Sequence, residues 1–126
     1  MIQVRDYRDV EAQTIEGLEG VTVRWVVSEA DGAPHFAMRV FEVQPGCASP
    51  HHTHWWEHEV FVLDGEGVVK TPEGDRPIKA GTVIFIPGNE EHQIVNTGQE
   101  VLRFICLIPH PWLEGVAEKV KGSAAE

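Results

Sequence analysis

Cysteine is scarce in this chain of 126 residues: Cys47 and Cys106 are the only two, far apart in sequence. They make neither a C-x-x-C pair nor a disulfide framework, which fits reduced thiols and predicts a cytoplasmic protein. Basic residues are also few, 10 against 20 acidic ones for a formal net charge of −10, and they are dispersed. Such a surface repels phosphate backbones and anionic lipid, which argues against nucleic acid and membranes as partners. No stretch comes near the roughly 20 apolar residues of a membrane span, and "MIQVRDYRDVEAQ" lacks the basic-then-apolar layout of a secretory leader. Ser28, Ser49 and Ser123 stand in no nucleophile elbow or triad pattern, and the glycines of "DGEG" form no phosphate loop. Helical periodicity is missing before residue 112.

Short runs rich in Val, Ile and Phe are present instead: "VTVRWVVS", "HFAMRVFEVQPG", "HEVFVLDGEG", "TVIFIPGNE", "HQIVNTG" and "EVLRFICLIP". Runs of this length, separated by Gly, Pro and Asp at near-regular spacing, predict an all-β sandwich or barrel of antiparallel strands. "VLDGEGVV" reads as a tight hairpin on Asp64-Gly65, and "TPEGD" and "NTGQE" as further reversals. A short closing helix is expected in "WLEGVAEKVKG", residues 112–122, ahead of a frayed end. With 42% hydrophobic and 24% charged residues, the chain has the composition of a globular domain and the length for one.

Four of the seven histidines fall within residues 51–58, "HHTHWWEH". Strand alternation puts residues i and i+2 on one face, roughly 7 Å apart, so His52 and His54 point the same way. His58 shares their parity, His51 faces the other side, and His92, after the turn "IPGNEE", is placed to add a fourth ring. On spacing alone, a metal site and a merely polar loop both remain open.

Two motifs in order resemble the cupin superfamily of small double-stranded β-helix, or jelly-roll, proteins. "GCASPHHTHWWEHEVFVLDG", Gly46 to Gly65, is similar to the first cupin motif, and "GTVIFIPGNEEHQIVN" is similar to the second, with Gly81, Pro87, His92 and Asn96 in register. Asn89 replaces the usual Gly, a mild change because Asn tolerates positive φ. His58 stands where a carboxylate is usual, and Glu59, one residue later, points to the opposite face unless a bulge shifts it.

The resemblance implies one cupin domain over residues 1–126, with a core near 34–109, N-terminal strands in 1–33 and a tail at 110–126. It implies a barrel of about 10 to 11 short antiparallel strands. The sequence is most like four-histidine members of the superfamily, which makes His52, His54, His58 and His92 the expected ligands and Glu59 the reserve. Mn(2+) or Fe(2+) is implied first; Cu, Ni, Zn or Co also suit imidazole. Ligation needs neutral rings, so affinity is expected to fail below about pH 6.

Four neutral ligands leave the ion its full charge, and two open positions would admit an anionic or phenolic small molecule and O₂. The implied function is a dioxygenase-type oxidoreductase that cleaves a C–C or C=C bond. The alternatives are a non-redox isomerase, epimerase or lyase, and a cupin that binds a small ligand without turnover.

Alternation places Phe104, Cys106 and Ile108 inward, Phe104 and Ile108 as pocket wall and Cys106 as a wall, an oxidisable thiol or a plain buried cysteine. Trp55 and Trp56 frame the entrance or pack at a sheet edge. Arg39 either faces inward and steers an anion or forms an outward salt bridge, Arg103 faces solvent, and His35 and His110 read as surface or loop. Unpaired edge strands and the resemblance together predict a homodimer.

Overall fold

The computed structural model describes residues 1–51 and 53–110; His52 and the expected closing helix lie outside the described residues. Nine strands occur among the described residues: β1 Gln13–Ile15, β2 Leu18–Val27, β3 Phe36–Val43, β4 His58–Asp64, β5 Glu66–Thr71, β6 Gly74–Lys79, β7 Val83–Ile86, β8 Gln93–Asn96 and β9 Leu102–Pro109. They form two antiparallel sheets, one in the order β1-β2-β3-β9-β4-β7 and the other β6-β5-β8. The all-β jelly roll predicted from the runs and the resemblance is the observed architecture.

Alternation explains why these segments pair as they do. Along β9 every second residue, Leu102, Phe104, Cys106 and Ile108, is buried, and β4 buries His58, Val60 and Val62 in the same rhythm. Facing them across the sandwich, Val69, Ile78 and Ile94 of the smaller sheet complete a core with Val21, Val23, Ala37, Phe41 and Val43. Leu102 and Val62 are fully excluded from solvent. Truncating Leu102 to Ala would therefore cost about 2–5 kcal/mol, a large share of the stability of a small domain.

The "VLDGEG" segment corrects an expectation. It is no hairpin: β4 pairs with β7 and β9, whereas β5 pairs with β6 and β8. Gly65, at φ 88°, turns the chain from one sheet to the other, and a Cβ there would lie 2.6 Å from the Val101 carbonyl oxygen. Positive φ is common to a hairpin and to this corner, so the dipeptide alone could not distinguish them. "TPEGD" is a true hairpin, joining β5 to β6 with Thr71 opposite Gly74. "NTGQE" links the two sheets through Asn96, whose amide donates to the carbonyls of Val43 and Glu100, each at 2.8 Å, and accepts from the Gly98 N–H at 2.9 Å.

His110 is a second correction, for it is buried at the end of β9 and its Nε2–H donates to the Ala33 carbonyl at 2.7 Å. It follows the β9 burial rhythm one residue beyond the strand, a continuation that the adjoining Pro109 and Pro111 disguise in the sequence. His35 is exposed as expected.

Candidate metal centre

Two loops bring the histidines together. His58 opens β4 opposite Ile86, the last residue of β7, and its place in the alternation turns it inward. Just ahead, His54 stacks on Trp56 with centroids 4.0 Å apart and planes 9° from parallel. His92 comes from the β7–β8 loop, directly before β8.

That loop is clipped to the first one. The Asn89 N–H donates to the His54 carbonyl, and Asn89 adopts φ 65°, as its replacement of glycine led one to expect. Gly88 lies so close beneath Trp55 that a Cβ would sit 2.2 Å from the Trp55 carbonyl oxygen. On the outer side His51 reaches the Glu91 carboxylate at 3.0 Å, consistent with its exclusion from the ligand set.

The result is a cluster of His54, His58 and His92 whose candidate ligand nitrogens all lie within 4.8 Å of one another. Two nitrogens bound at the usual distance to one ion are up to about 4.2 Å apart, so the rings need only small inward shifts to share an ion. His58 and His92 are each 7% exposed. The His92 Nδ1–H donates to the Glu90 carbonyl at 2.9 Å, which fixes the tautomer and leaves Nε2 as the ligand atom. The His58 Nδ1 lies 3.2 Å from the Cys106 sulfur. This donor set, two buried rings among three and one already oriented by a backbone carbonyl, fits a divalent ion that accepts imidazole. Glu59, the reserve, is exposed and faces away from the cluster beside Glu57.

A cavity of about 460 Å³ adjoins the histidines. Arg39, Trp56, Phe104 and Cys106 all line it, together with Val23, Trp25, Phe41 and the β1 residues Gln13 to Ile15. Ile108 shares the inward face but lies one more step along β9, where it borders a second depression with Glu57, Glu59 and Phe36. Parity set its face correctly; only the register shows that it lies past the cavity's end.

Arg39 takes the inward alternative. Its guanidinium carbon lies 5.3 Å from the Trp25 ring centroid and 4.8 Å from that of Phe41, and its Nη2 donates to the Cys106 sulfur at 3.2 Å. Burial pushes the Cys106 thiol up, an effect that Arg39 partly offsets. The thiol is held between a cation and an imidazole.

Sequence reasoning missed Trp25, Phe41 and β1. Phe41 was reachable, since it shares the parity of Arg39 on β3. Trp25 required the strand register that sets it opposite Arg39, and β1 is only three residues long.

The two-sheet β barrel with three imidazoles clustered at its cavity is a jelly roll with a candidate metal site, and the wider comparisons agree on the fold. The chain belongs to the cupin domain family, whose pattern it matches over residues 39–108. It is 40% identical over 80 residues to an oxalate-binding protein of Thermotoga maritima, covering 60% of this chain and 66% of that protein. It is 33% identical over 105 residues to the dimethylsulfoniopropionate lyase DddW of Ruegeria pomeroyi, covering 81% of this chain and 68% of the lyase. The match to the oxalate-binding protein thus spans slightly less than two thirds of its length, and that to auxin-binding protein 1 of Arabidopsis thaliana spans 38%. Among solved structures, the polyketide cyclase RemF of Streptomyces resistomycificus superposes with a TM-score of 0.81 at 33% identity, over 86% of this chain and 80% of the cyclase. Relatives of one fold thus carry different activities.

Proposed function

We propose that this cupin is a metal-dependent enzyme that transforms a small, largely apolar organic compound through non-redox chemistry of the isomerase, cyclase or lyase type. The observation that carries the reading is the three-histidine cluster beside a 460 Å³ cavity walled by Trp25, Phe41, Trp56 and Phe104. Support for non-redox chemistry comes from RemF and DddW, named as a cyclase and a lyase, each 33% identical over more than two thirds of its own length.

A divalent ion, Mn(2+) or Fe(2+) first, held by His54, His58 and His92 with His52 as fourth ligand, would supply Lewis acidity toward an oxygen of the substrate. The chain's own residues do the rest. Aromatic walls bind the apolar body of the substrate and exclude water, so that electrostatic effects in the site are strengthened. Glu90 and Cys106 orient the rings of His92 and His58.

The dioxygenase reading is second. It is favoured by the apolar walls and by the small number of protein ligands, which leave room for O₂ beside a substrate. A panel of phenolic, enolic and carboxylate compounds, incubated with protein loaded in turn with Mn, Fe, Zn or Ni and followed by mass spectrometry, separates the readings. Turnover under strict anaerobiosis is the expected result; turnover only with O₂ would make the enzyme a dioxygenase. Saturable binding with no product under either atmosphere would overturn both and leave a ligand-binding cupin.

We further propose that residues 1–126 form one domain that acts in the cytoplasm as a homodimer. Exposed Phe61, Val83 and Phe85 on β4 and the edge strand β7 support self-association. Sedimentation equilibrium should return twice the chain mass, and Phe85→Lys should shift the distribution toward the chain mass. No helix among the described residues is long and apolar enough to cross a membrane.

A further inference from the structure

Arg39 is a cation in a largely apolar cavity; the one carboxylate among the described lining residues, Glu16, is exposed and forms no ion pair with it. Among the described residues no acidic group lies within ion-pairing distance of it, although its sequence neighbour at two removes, Phe41, is followed directly by Glu42. Glu42 points out of the other face of β3, where Arg24 and Arg103 take it up. What Arg39 does have is two aromatic faces, Trp25 and Phe41, and one thiol. Its Nε is buried and makes no hydrogen bond.

Withdrawing a guanidinium from water is costly unless its donors are met. Cation–π contacts return about 0.5–2 kcal/mol each, which offsets part of that cost but satisfies no N–H. The strands over-determine the position nonetheless: Trp25 stands opposite Arg39 on β2, and Cys106 stands opposite it on β9. A side chain held this firmly with donors to spare is built for an acceptor that comes from outside.

The acceptor's chemistry follows from the surroundings. A guanidinium stays cationic at any working pH and presents a planar fork that matches a carboxylate. Cys106 lies 3.2 Å from both the Arg39 Nη2 and the His58 Nδ1, so a single sulfur separates the cation from the histidine cluster. An anionic group on Arg39 therefore has the imidazoles within the reach of a small molecule. Flat aromatic walls flank that path, and Trp25, 38% exposed, marks its solvent side.

We propose that Arg39 is the carboxylate-recognition residue of this cavity, and that the substrates are flat, unsaturated or aromatic organic acids bearing a second oxygen donor directed at the histidines. The substrate class deepens the proposed function and rests on it. The carboxylate recognition does not, since it needs no metal.

The test uses the full chain, metal-free and metal-loaded, at pH 8. Benzoate and 2-hydroxybenzoate are compared with their uncharged amides, benzamide and 2-hydroxybenzamide, and binding is read from tryptophan fluorescence, to which Trp25 and Trp56 in the cavity wall contribute. Wild-type protein, even metal-free, should bind benzoate at least about tenfold more tightly than benzamide, the size expected for a charge-assisted pair. Arg39→Gln should abolish that preference and leave benzamide binding within about twofold, and Arg39→Lys should keep part of it. Should Arg39→Gln fail to fold by circular dichroism, the wild-type carboxylate-to-amide ratio and the Arg39→Lys variant still decide.

Equal binding of acid and amide by the wild type, or a full preference in Arg39→Gln, would overturn the inference. A protein that binds no metal but shows the Arg39-dependent preference would sink the enzyme proposal and keep this one. Metal binding and turnover without any carboxylate preference would do the reverse.

Discussion

Arg39 and Arg103 lie on neighbouring strands and face opposite sides of the same sheet. Arg103 is fully engaged: its Nε and Nη2 donate to a Glu42 oxygen at 3.1 and 2.8 Å, and its Nη1 pairs with Asp64. Hydrogen bonding to Glu42, with a smaller share from Asp64, holds its guanidinium above the ordinary range. Arg24 joins the same Glu42, so charges alternate across four adjacent strands, β2, β3, β9 and β4. Arg39 has sulfur and aromatic rings where Arg103 has carboxylates. Charge on the outer face is consumed in holding strands together, whereas charge on the inner face is left for a ligand.

That contrast can be broken at either face. The largest effect is expected inside: His92→Ala should lower divalent-metal affinity by more than about 100-fold, because even outer partners of a ligand are worth about 10- to 100-fold. Isothermal titration reads this, and the melting temperature of the metal-free protein should hardly move. Next comes the clip between the loops. Gly88→Ala would force a methyl group against the Trp55 carbonyl and should cost about 1–3 kcal/mol by denaturant unfolding, with metal affinity falling alongside.

The outer face is worth less. Glu42→Ala deprives both Arg24 and Arg103 of a partner and should cost about 1 kcal/mol, most at low salt, leaving metal affinity unchanged.

Smallest of all is Glu57, raised from its ordinary value of 4.5 by a hydrogen bond with Glu59, by burial and by that neighbour's charge. A carboxyl raised in the folded state holds more protons there than in the unfolded chain. Stability therefore falls as pH climbs through and above 4.5 toward the folded-state value. Glu57→Gln should flatten that decline by a few tenths of a kcal/mol, since the group is largely solvated.

The inner face was partly legible in the sequence. Parity along "HTHWWEH" made His54 and His58 candidates, the resemblance of the two motifs to cupins named them with His92 as ligands, and the structure brings those three together. His52 carries the same parity but lies outside the described residues. Residue alternation also set Phe104 and Cys106 facing inward, because period 2 is a local property of a strand.

Register and sheet membership are not local. Arg39 could be placed only once β3 was seen between β2 and β9, and Trp25 only once it was found opposite Arg39. Ile108 and the corner at Gly65 misled for the same reason: position along a sheet, and the choice between sheets, depend on which distant strand is the partner.

The most direct measurement of the central claim is X-ray absorption at the metal edge of protein loaded with one equivalent of a divalent ion. The account predicts a shell of imidazole nitrogens at about 2.0–2.2 Å that loses one ring in His92→Ala. A wild-type protein that retains no ion, or an oxygen-only shell that His92→Ala leaves unaltered, would contradict it.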